Sequence, residues 1–192
     1  MLSVPGRGED KQDCLSLRAQ AAYPDALVVH RLDMATSGLV LMARGPAMQR
    51  QLNAAFSNHE VHKRYQAVVQ GDCRGAADAW QEIDLPILVD WPNRPLRKID
   101  FENGQPSRTR WRCIGFDAQT QASRLELEPI TGRSHQLRVH LLAIGHPILG
   151  DALYAPPEAL AAAPRLLLHA CQLTLTHPGT GAPLVLDCPC PF

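Results

Sequence analysis

The alternation of apolar and polar positions divides the chain into short strands, polar loops and a few helical stretches. Ala26–Val29 and Leu39–Ala43 are apolar runs that predict two strands, and the polar stretch His30–Gly38 forms a loop between them. Pro46 then opens a helix at a first-turn position that tolerates it. Met48, Leu52, Ala55 and Phe56 recur on one face of that helix, and Asn58 suits its end. Tyr65–Val69 alternates as a strand closed by Gly71. Upstream, residues 1–25 are polar, with a short helix over Gln12–Ala22. The segment Asp72–Gln105 is rich in turn dipeptides and reads as a strand-and-loop excursion rather than a separate domain. Arg108–Ile114 and Arg124–Ile130 predict two strands around a polar loop, and Ser134–Ile144 a helix stopped by Gly145. Leu166–Thr176 predicts a long last strand before a tail punctuated by Pro and Gly. Strands outnumber helices without regular alternation. The expected architecture is therefore one α+β domain over residues 1–192, with a mixed, largely antiparallel sheet.

Composition narrows the function classes. With 192 residues, of which 45% are hydrophobic, the chain is long and apolar enough to bury a core, which excludes a disordered chain. No apolar run approaches the roughly 18–20 residues of a membrane-spanning helix. The start, Met1-Leu2-Ser3-Val4-Pro5-Gly6-Arg7, lacks the apolar stretch of a signal peptide. The expectation is a cytoplasmic protein with no membrane partner. The six cysteines are scattered and read as free thiols. Cys188-Pro189-Cys190 is one residue short of a zinc knuckle. Basic and acidic residues number 19 each, so any nucleic-acid binding rests on local placement rather than a whole-molecule field. Only Lys11, Lys63 and Lys98 among the basic residues are lysine. That bias toward Arg follows from codon usage or suits phosphates and stacked bases.

The candidate chemistry starts at His30-Arg31-Leu32-Asp33-Met34-Ala35-Thr36-Ser37-Gly38, a polar loop wedged between two apolar strands. Asp33 either caps a turn with Thr36 and Ser37 or serves a site held still by the flanking strands. A second polar loop, Thr131-Gly132-Arg133, ends a strand and opens a helix, where an Arg can pair with an Asp and keep it ionised. Arg108, Arg110 and Arg112 share one strand face. They form either a phosphate-tracking stripe or, as favoured here, ion pairs with Glu126 and Glu128 on the next strand. Arg94, Arg97 and Lys98, in a Pro-rich loop, are better placed for phosphates. Of the eight histidines, His135 and His140 stand roughly 140° apart around a helix, which cannot chelate one ion as an i, i+4 pair does. His30, His146, His169 and His177 adjoin turns or strand ends and read as hydrogen-bonded structural residues.

Three stretches resemble one known family. His30-Arg31-Leu32-Asp33-x-x-Thr36-Ser37-Gly38-Leu39 is similar to the catalytic-aspartate motif of RluA-type pseudouridine synthases, and Lys63-Arg64-Tyr65-x-Ala67 to their tyrosine motif. Pro129-Ile130-Thr131-Gly132-Arg133-Ser134-His135-Gln136-Leu137-Arg138-Val139-His140, running on through Gly145-His146-Pro147-Ile148-Leu149-Gly150-Asp151, resembles their arginine motif. The stretches stand in the family's order. The resemblance implies a pseudouridine-synthase catalytic domain with a central RNA-binding cleft. It implies isomerisation of uridine without metal or organic cofactor, and as partners stem-loops of 23S ribosomal RNA and of transfer RNA (the anticodon loop). It implies roles as well: Asp33 as the nucleophile, Arg133 as its ion-pair partner, Tyr65 stacked on the target base, and Arg31 filling the gap that base leaves in the RNA stack. A monomer is expected. The family also implies a strand segment ending in Lys-Pro ahead of Leu2-Ser3-Val4-Pro5-Gly6, so the chain reads as shortened at its N-terminus, with a sheet edge left unpaired. Two other classes remain as alternatives: an RNA-binding protein whose catalysis is impaired, and a metal-dependent hydrolase using the histidines.

Overall fold

The computed structural model describes residues 1–76 and 79–192. Its first elements are helix α1 (Leu15–Ala22), strands β1 (Ala26–Val28), β2 (Ser37–Gly38) and β3 (Met42–Arg44), helix α2 (Gly45–Ser57) and strand β4 (His62–Gln70). Strands β5 (Gln81–Asp84), β6 (Ile87–Val89), β7 (Arg97–Ile99), β8 (Arg108–Asp117) and β9 (Ala122–Pro129) follow. Helices α3 (Gln136–Ala143) and α4 (Pro157–Ala161) then lead into strands β10 (Leu168–Thr176) and β11 (Pro183–Asp187). The main sheet runs β11-β10-β4-β9-β8-β5, all neighbours antiparallel, and β2 adds to β10 in parallel. β1 and β3 form a separate hairpin, as do β6 and β7. The α+β architecture with a mixed, largely antiparallel sheet is thus the one the pattern predicts.

Because side chains alternate across a strand, each central strand sends one set of residues to each face. Ala67 and Val69 of β4, Leu125 and Leu127 of β9 and Cys113 of β8 point to one face, where Leu137 and Leu141 of α3 close the main core. Tyr65 and Trp111 pack at its margin. The opposite face carries charges, paired as the spacing of Arg and Glu suggested: Arg110 to Glu128 at 3.1 Å and Arg112 Nε to Glu126 at 2.7 Å. Arg108 instead lies 3.8 Å from Glu82 of β5. Arg64 joins both glutamates, and Trp80 lies against the guanidinium groups of Arg64, Arg110 and Arg112. A second core forms where α2 packs on the β1–β3 hairpin and the ends of β10 and β11, around Leu52, Leu173 and Leu175. All six cysteines are free thiols.

The Pro- and Gly-punctuated tail holds β11, an edge strand that Pro183 opens and whose side chains alternate between exposed and half-buried. The helix before β10, α4, was also not anticipated. It has 5 residues, too few for a 3.6-residue periodicity to show.

Three contacts fix the His30–Gly38 loop. The Ser3 hydroxyl donates to the Leu32 carbonyl at 2.9 Å, which ties the loop to the N-terminal segment. The Thr36 N–H donates to the main-chain carbonyl of Asp33 at 3.0 Å. Gly38, at φ +108°, pairs with Ala170 of β10 so closely that a Cβ would sit 2.2 Å from the Ala170 carbonyl oxygen. Gly38→Ala adds a steric overlap to a backbone conformation that side chains disfavour. Its expected effect is a loss of about 3 kcal/mol of stability, read from the midpoint of urea unfolding. An unchanged midpoint would show that the loop shifts at little cost.

Candidate functional site

The loops that follow β1 and β9 meet above the edge of the main core. Between them lies an open cleft of about 780 Å³, lined by Arg31, Asp33, Tyr65 and Arg133 among others. The four residues singled out in the sequence therefore share one cavity.

Asp33 reaches the cleft because the turn that holds it is closed by its main chain. The Thr36 N–H bonds to the Asp33 backbone carbonyl rather than to the carboxylate, so the side chain is not consumed as a turn cap. That carboxylate is about one quarter exposed. Its cationic partner is Arg138, whose Nη1 lies 3.5 Å from Asp33 Oδ2. The expected Asp33–Arg133 ion pair does not form. Arg133 is exposed at the cleft rim, and its Nε points to the Pro106 carbonyl at 3.4 Å. The correction has a helical cause. Arg133 precedes α3 and is turned outward, whereas Arg138 lies inside α3, between the buried Leu137 and Val139, on a side that looks into the cleft.

An Arg that is 4% exposed needs its donors satisfied. Asp151, 1% exposed, takes Arg138 Nε at 2.8 Å and Nη2 at 2.5 Å in a two-pronged bond. The same carboxylate accepts the backbone N–H groups of Leu153 and Tyr154. The Tyr154 ring lies 5.0 Å from the Arg138 guanidinium. Burial by itself would lower the Arg138 pKa, but the hydrogen bond and charge of Asp151, with Asp33 adding, raise it above its ordinary value. The cation facing Asp33 is permanent and fixed.

The loop carrying Arg133 is braced by the buried Gln136 side chain. Its carbonyl accepts from the Arg133 N–H at 3.0 Å and from the Thr131 hydroxyl at 2.8 Å. Its amide donates to the Arg108 carbonyl and the Thr109 hydroxyl. His140 lies behind that brace, with Nδ1 on the Thr109 hydroxyl and Nε2 on the Leu85 carbonyl, both at 2.9 Å. His135 faces the cleft instead, 4.0 Å from Asp33. It precedes α3 in a left-handed conformation rather than lying in the helix expected from Ser134. It and His140 thus serve different surroundings for a reason other than helical spacing.

Tyr65 projects from the central strand β4 beneath Asp33. Burial, with the Asp33 charge adding, drives its phenol pKa well above the ordinary value, so it stays protonated at neutral pH. Arg31 is exposed at the cleft mouth, with no carboxylate within 4.0 Å among the described residues. Lys63 also lines the cleft, and burial lowers its pKa. His30 is structural, as its position beside a strand end suggested: Nε2 accepts the Leu41 N–H at 2.8 Å, and its ring stacks on Phe56. Burial, with Lys63 adding, depresses the His30 pKa to about 4.

The sequence reading missed Arg138, Asp151, Tyr154 and the role of His135. The available signal was a charged residue inside the apolar run Leu137-Arg138-Val139 of a helix, which demands a buried partner.

A family model described as RNA pseudouridylate synthase matches residues 1–143. Over 192 residues the chain is 50% identical to the dual-specificity RNA pseudouridine synthase RluA of Escherichia coli (strain K12), covering 100% of this chain and 86% of that protein. It is 48% identical to the RluA of Yersinia pestis, covering 100% of this chain and 91% of that protein. Among solved structures, human RNA Pseudouridylate Synthase Domain Containing 1 aligns with a TM-score of 0.80 at 27% identity, over 100% of this chain and 84% of that one.

Two stability measurements follow from this geometry. Arg138→Met leaves Asp151 buried without its partner and is expected to cost about 3–5 kcal/mol, whereas Arg133→Met changes stability by less than about 0.5 kcal/mol. Equal effects in urea unfolding would refute the distinction between the two arginines. His30 gives a pH signature. Between its ordinary pKa of 6.5 and its folded value of about 4, the unfolded chain binds the proton and the folded chain does not. Stability contributed at neutral pH is therefore lost as pH falls through that window. His30→Gln keeps an acceptor for Leu41 but cannot titrate, so its stability falls less steeply between pH 6.5 and 4 than that of the parent. Parallel curves would remove His30 from the acid limb.

Proposed function

Because the chain belongs to the RNA pseudouridylate synthase family, we propose that it isomerises uridine in stem-loops of 23S ribosomal RNA and of the transfer-RNA anticodon loop, with Asp33 as nucleophile. One observation carries the reading of the site: a carboxylate in an open cleft, 3.5 Å from a cation that is itself locked by a second, buried carboxylate.

Pseudouridine forms when the glycosidic bond moves from N1 of uracil to C5. A proton leaves C5 and one is gained at N1, and no electrons are exchanged with an outside partner. The protein's task is to detach the base, let it turn and let it rejoin. Asp33 attacks either the sugar or the base as a carboxylate, and the Arg138 guanidinium stands 3.5 Å from it. The main-chain turn at Thr36 holds the carboxylate toward the cleft without occupying its oxygens.

The other cleft residues divide the remaining work. Tyr65, kept protonated by burial, offers a ring against which the extruded base can stack, and it is a poor base at neutral pH. Arg31, exposed at the mouth, is placed to fill the space the target base vacates, since a flat guanidinium stacks on neighbouring bases. Arg133, on the rim, takes the part of a substrate-binding residue for the RNA backbone. Extruding the uridine costs a few kcal/mol in a duplex and less in a loop, which favours stem-loop targets. The chain acts as a cytoplasmic monomer in this reading.

The test is pseudouridine mapping of ribosomal and transfer RNA from cells lacking the gene, rescued with the parent or with Asp33→Asn. The parent restores the modification. Asp33→Asn, which keeps the size of the side chain, lowers the rate by roughly three orders of magnitude, the scale of losing an enzyme nucleophile. Restoration by Asp33→Asn would overturn the assignment. RNA binding without modification by the parent would favour the impaired RNA-binding alternative.

A further inference from the structure

His135 occupies a costly backbone position. Its φ of +57° is left-handed, and the residue directly precedes α3. That geometry turns the imidazole into the cleft with its two nitrogens facing different partners. Nδ1 lies 2.6 Å from the Tyr154 hydroxyl, and Nε2 lies 4.0 Å from Asp33 Oδ1.

The Tyr154 oxygen is already an acceptor, since the backbone N–H of Arg97 in β7 donates to it at 2.9 Å. Its own proton then has His135 Nδ1 as its partner. With Nδ1 accepting, the single proton of a neutral imidazole must sit on Nε2, where it points at the Asp33 carboxylate. The other tautomer would set a nitrogen lone pair against that carboxylate. The charged and titratable groups around the ring are Asp33, Arg138, Arg97, Asp151 and Tyr154. Burial, with the Arg138 and Arg97 charges adding, outweighs Asp33 and Asp151 and lowers the His135 pKa, which favours the neutral ring.

We propose that Tyr154 locks His135 in the Nε2–H tautomer and that the imidazole so held is a positioning residue for the Asp33 carboxylate. Asp33 then faces two fixed groups, Arg138 Nη1 at 3.5 Å from one carboxylate oxygen and His135 Nε2 at 4.0 Å from the other. Tyr154 governs both: its ring lies against Arg138 and its hydroxyl sets His135. The β6–β7 hairpin joins this chain of contacts through the Arg97 N–H, which donates to the Tyr154 hydroxyl that meets His135. This role rests on reading Asp33 as the nucleophile.

Two substitutions at one position separate positioning from support of the backbone. In His135→Gln the side-chain amide reaches the place of Nε2 and keeps a donor toward Asp33. In His135→Asn it reaches only the place of Nδ1, although Asn is the better residue for a left-handed backbone. Turnover on a transcribed RNA stem-loop is expected to fall about tenfold in His135→Asn and no more than about threefold in His135→Gln, with KM within about twofold, the scale of one hydrogen bond to an ionised group. Tyr154→Phe keeps the ring against Arg138 and is expected to lose about tenfold in kcat as well. NMR of the free protein labelled with 15N in histidine reads the tautomer without RNA. Nε2–H predominates in the parent, and Tyr154→Phe mixes the two forms. Asn matching or exceeding Gln, or an unchanged tautomer in Tyr154→Phe, overturns the inference. Activity surviving in Asp33→Asn would instead remove the nucleophile reading while leaving the tautomer result intact.

Discussion

The buried fork between Arg138 and Asp151 is the contact on which the site depends. A guanidinium 4% exposed would be prohibitively placed without it, and two of its nitrogens are committed to a carboxylate as deeply buried. The third nitrogen is left to face Asp33. The fork also ties the helix to the turn that follows it. Arg138 lies in the helix that closes the main core, and Asp151 lies in the turn after it, whose own backbone N–H groups bond to the same carboxylate. Charge placement in the cleft and packing of the core are set by one pair.

Around that pair the fold supplies rigidity from both sides. The Asp33 loop is stitched to β10 through Gly38 and to the N-terminal segment through Ser3, so the nucleophile candidate is carried on anchored backbone. The opposing loop is braced from within by Gln136, which satisfies donors and acceptors on four neighbours. Such cross-bracing holds a polar site in place where apolar packing alone leaves side chains free to rotate.

Much of this could be read before any coordinates. The two polar loops and the strands beside them follow from strand periodicity, whereas the cavity shared by Arg31, Asp33, Tyr65 and Arg133 was implied only by the family resemblance of the motifs. The pairing of Arg110 and Arg112 with Glu128 and Glu126 follows from alternation alone. The identity of the cation beside Asp33 did not follow. Arg133 and Arg138 lie in one motif, and only the rotation of α3 decides which of them turns inward. Asp151 stands in the same motif as Arg138, yet residue order does not show that the two side chains pair, and neither the Tyr154 contact nor a tautomer leaves a trace in it. β11 escaped because an edge strand that begins at a proline carries a weak alternating signal.

The two faces of the sheet have a consequence for how a polyanion meets this chain. Arginines on the far face are already neutralised by Glu126 and Glu128, whereas those at the cleft mouth have no such partners among the described residues. A molecule with equal numbers of basic and acidic residues offers no long-range pull, yet it retains an electrical front and back. Within a Debye length, about 8 Å at physiological salt, an approaching nucleic acid experiences a torque more than an attraction. Alignment of the cleft with the polyanion is then set at close range, by those arginines at its mouth.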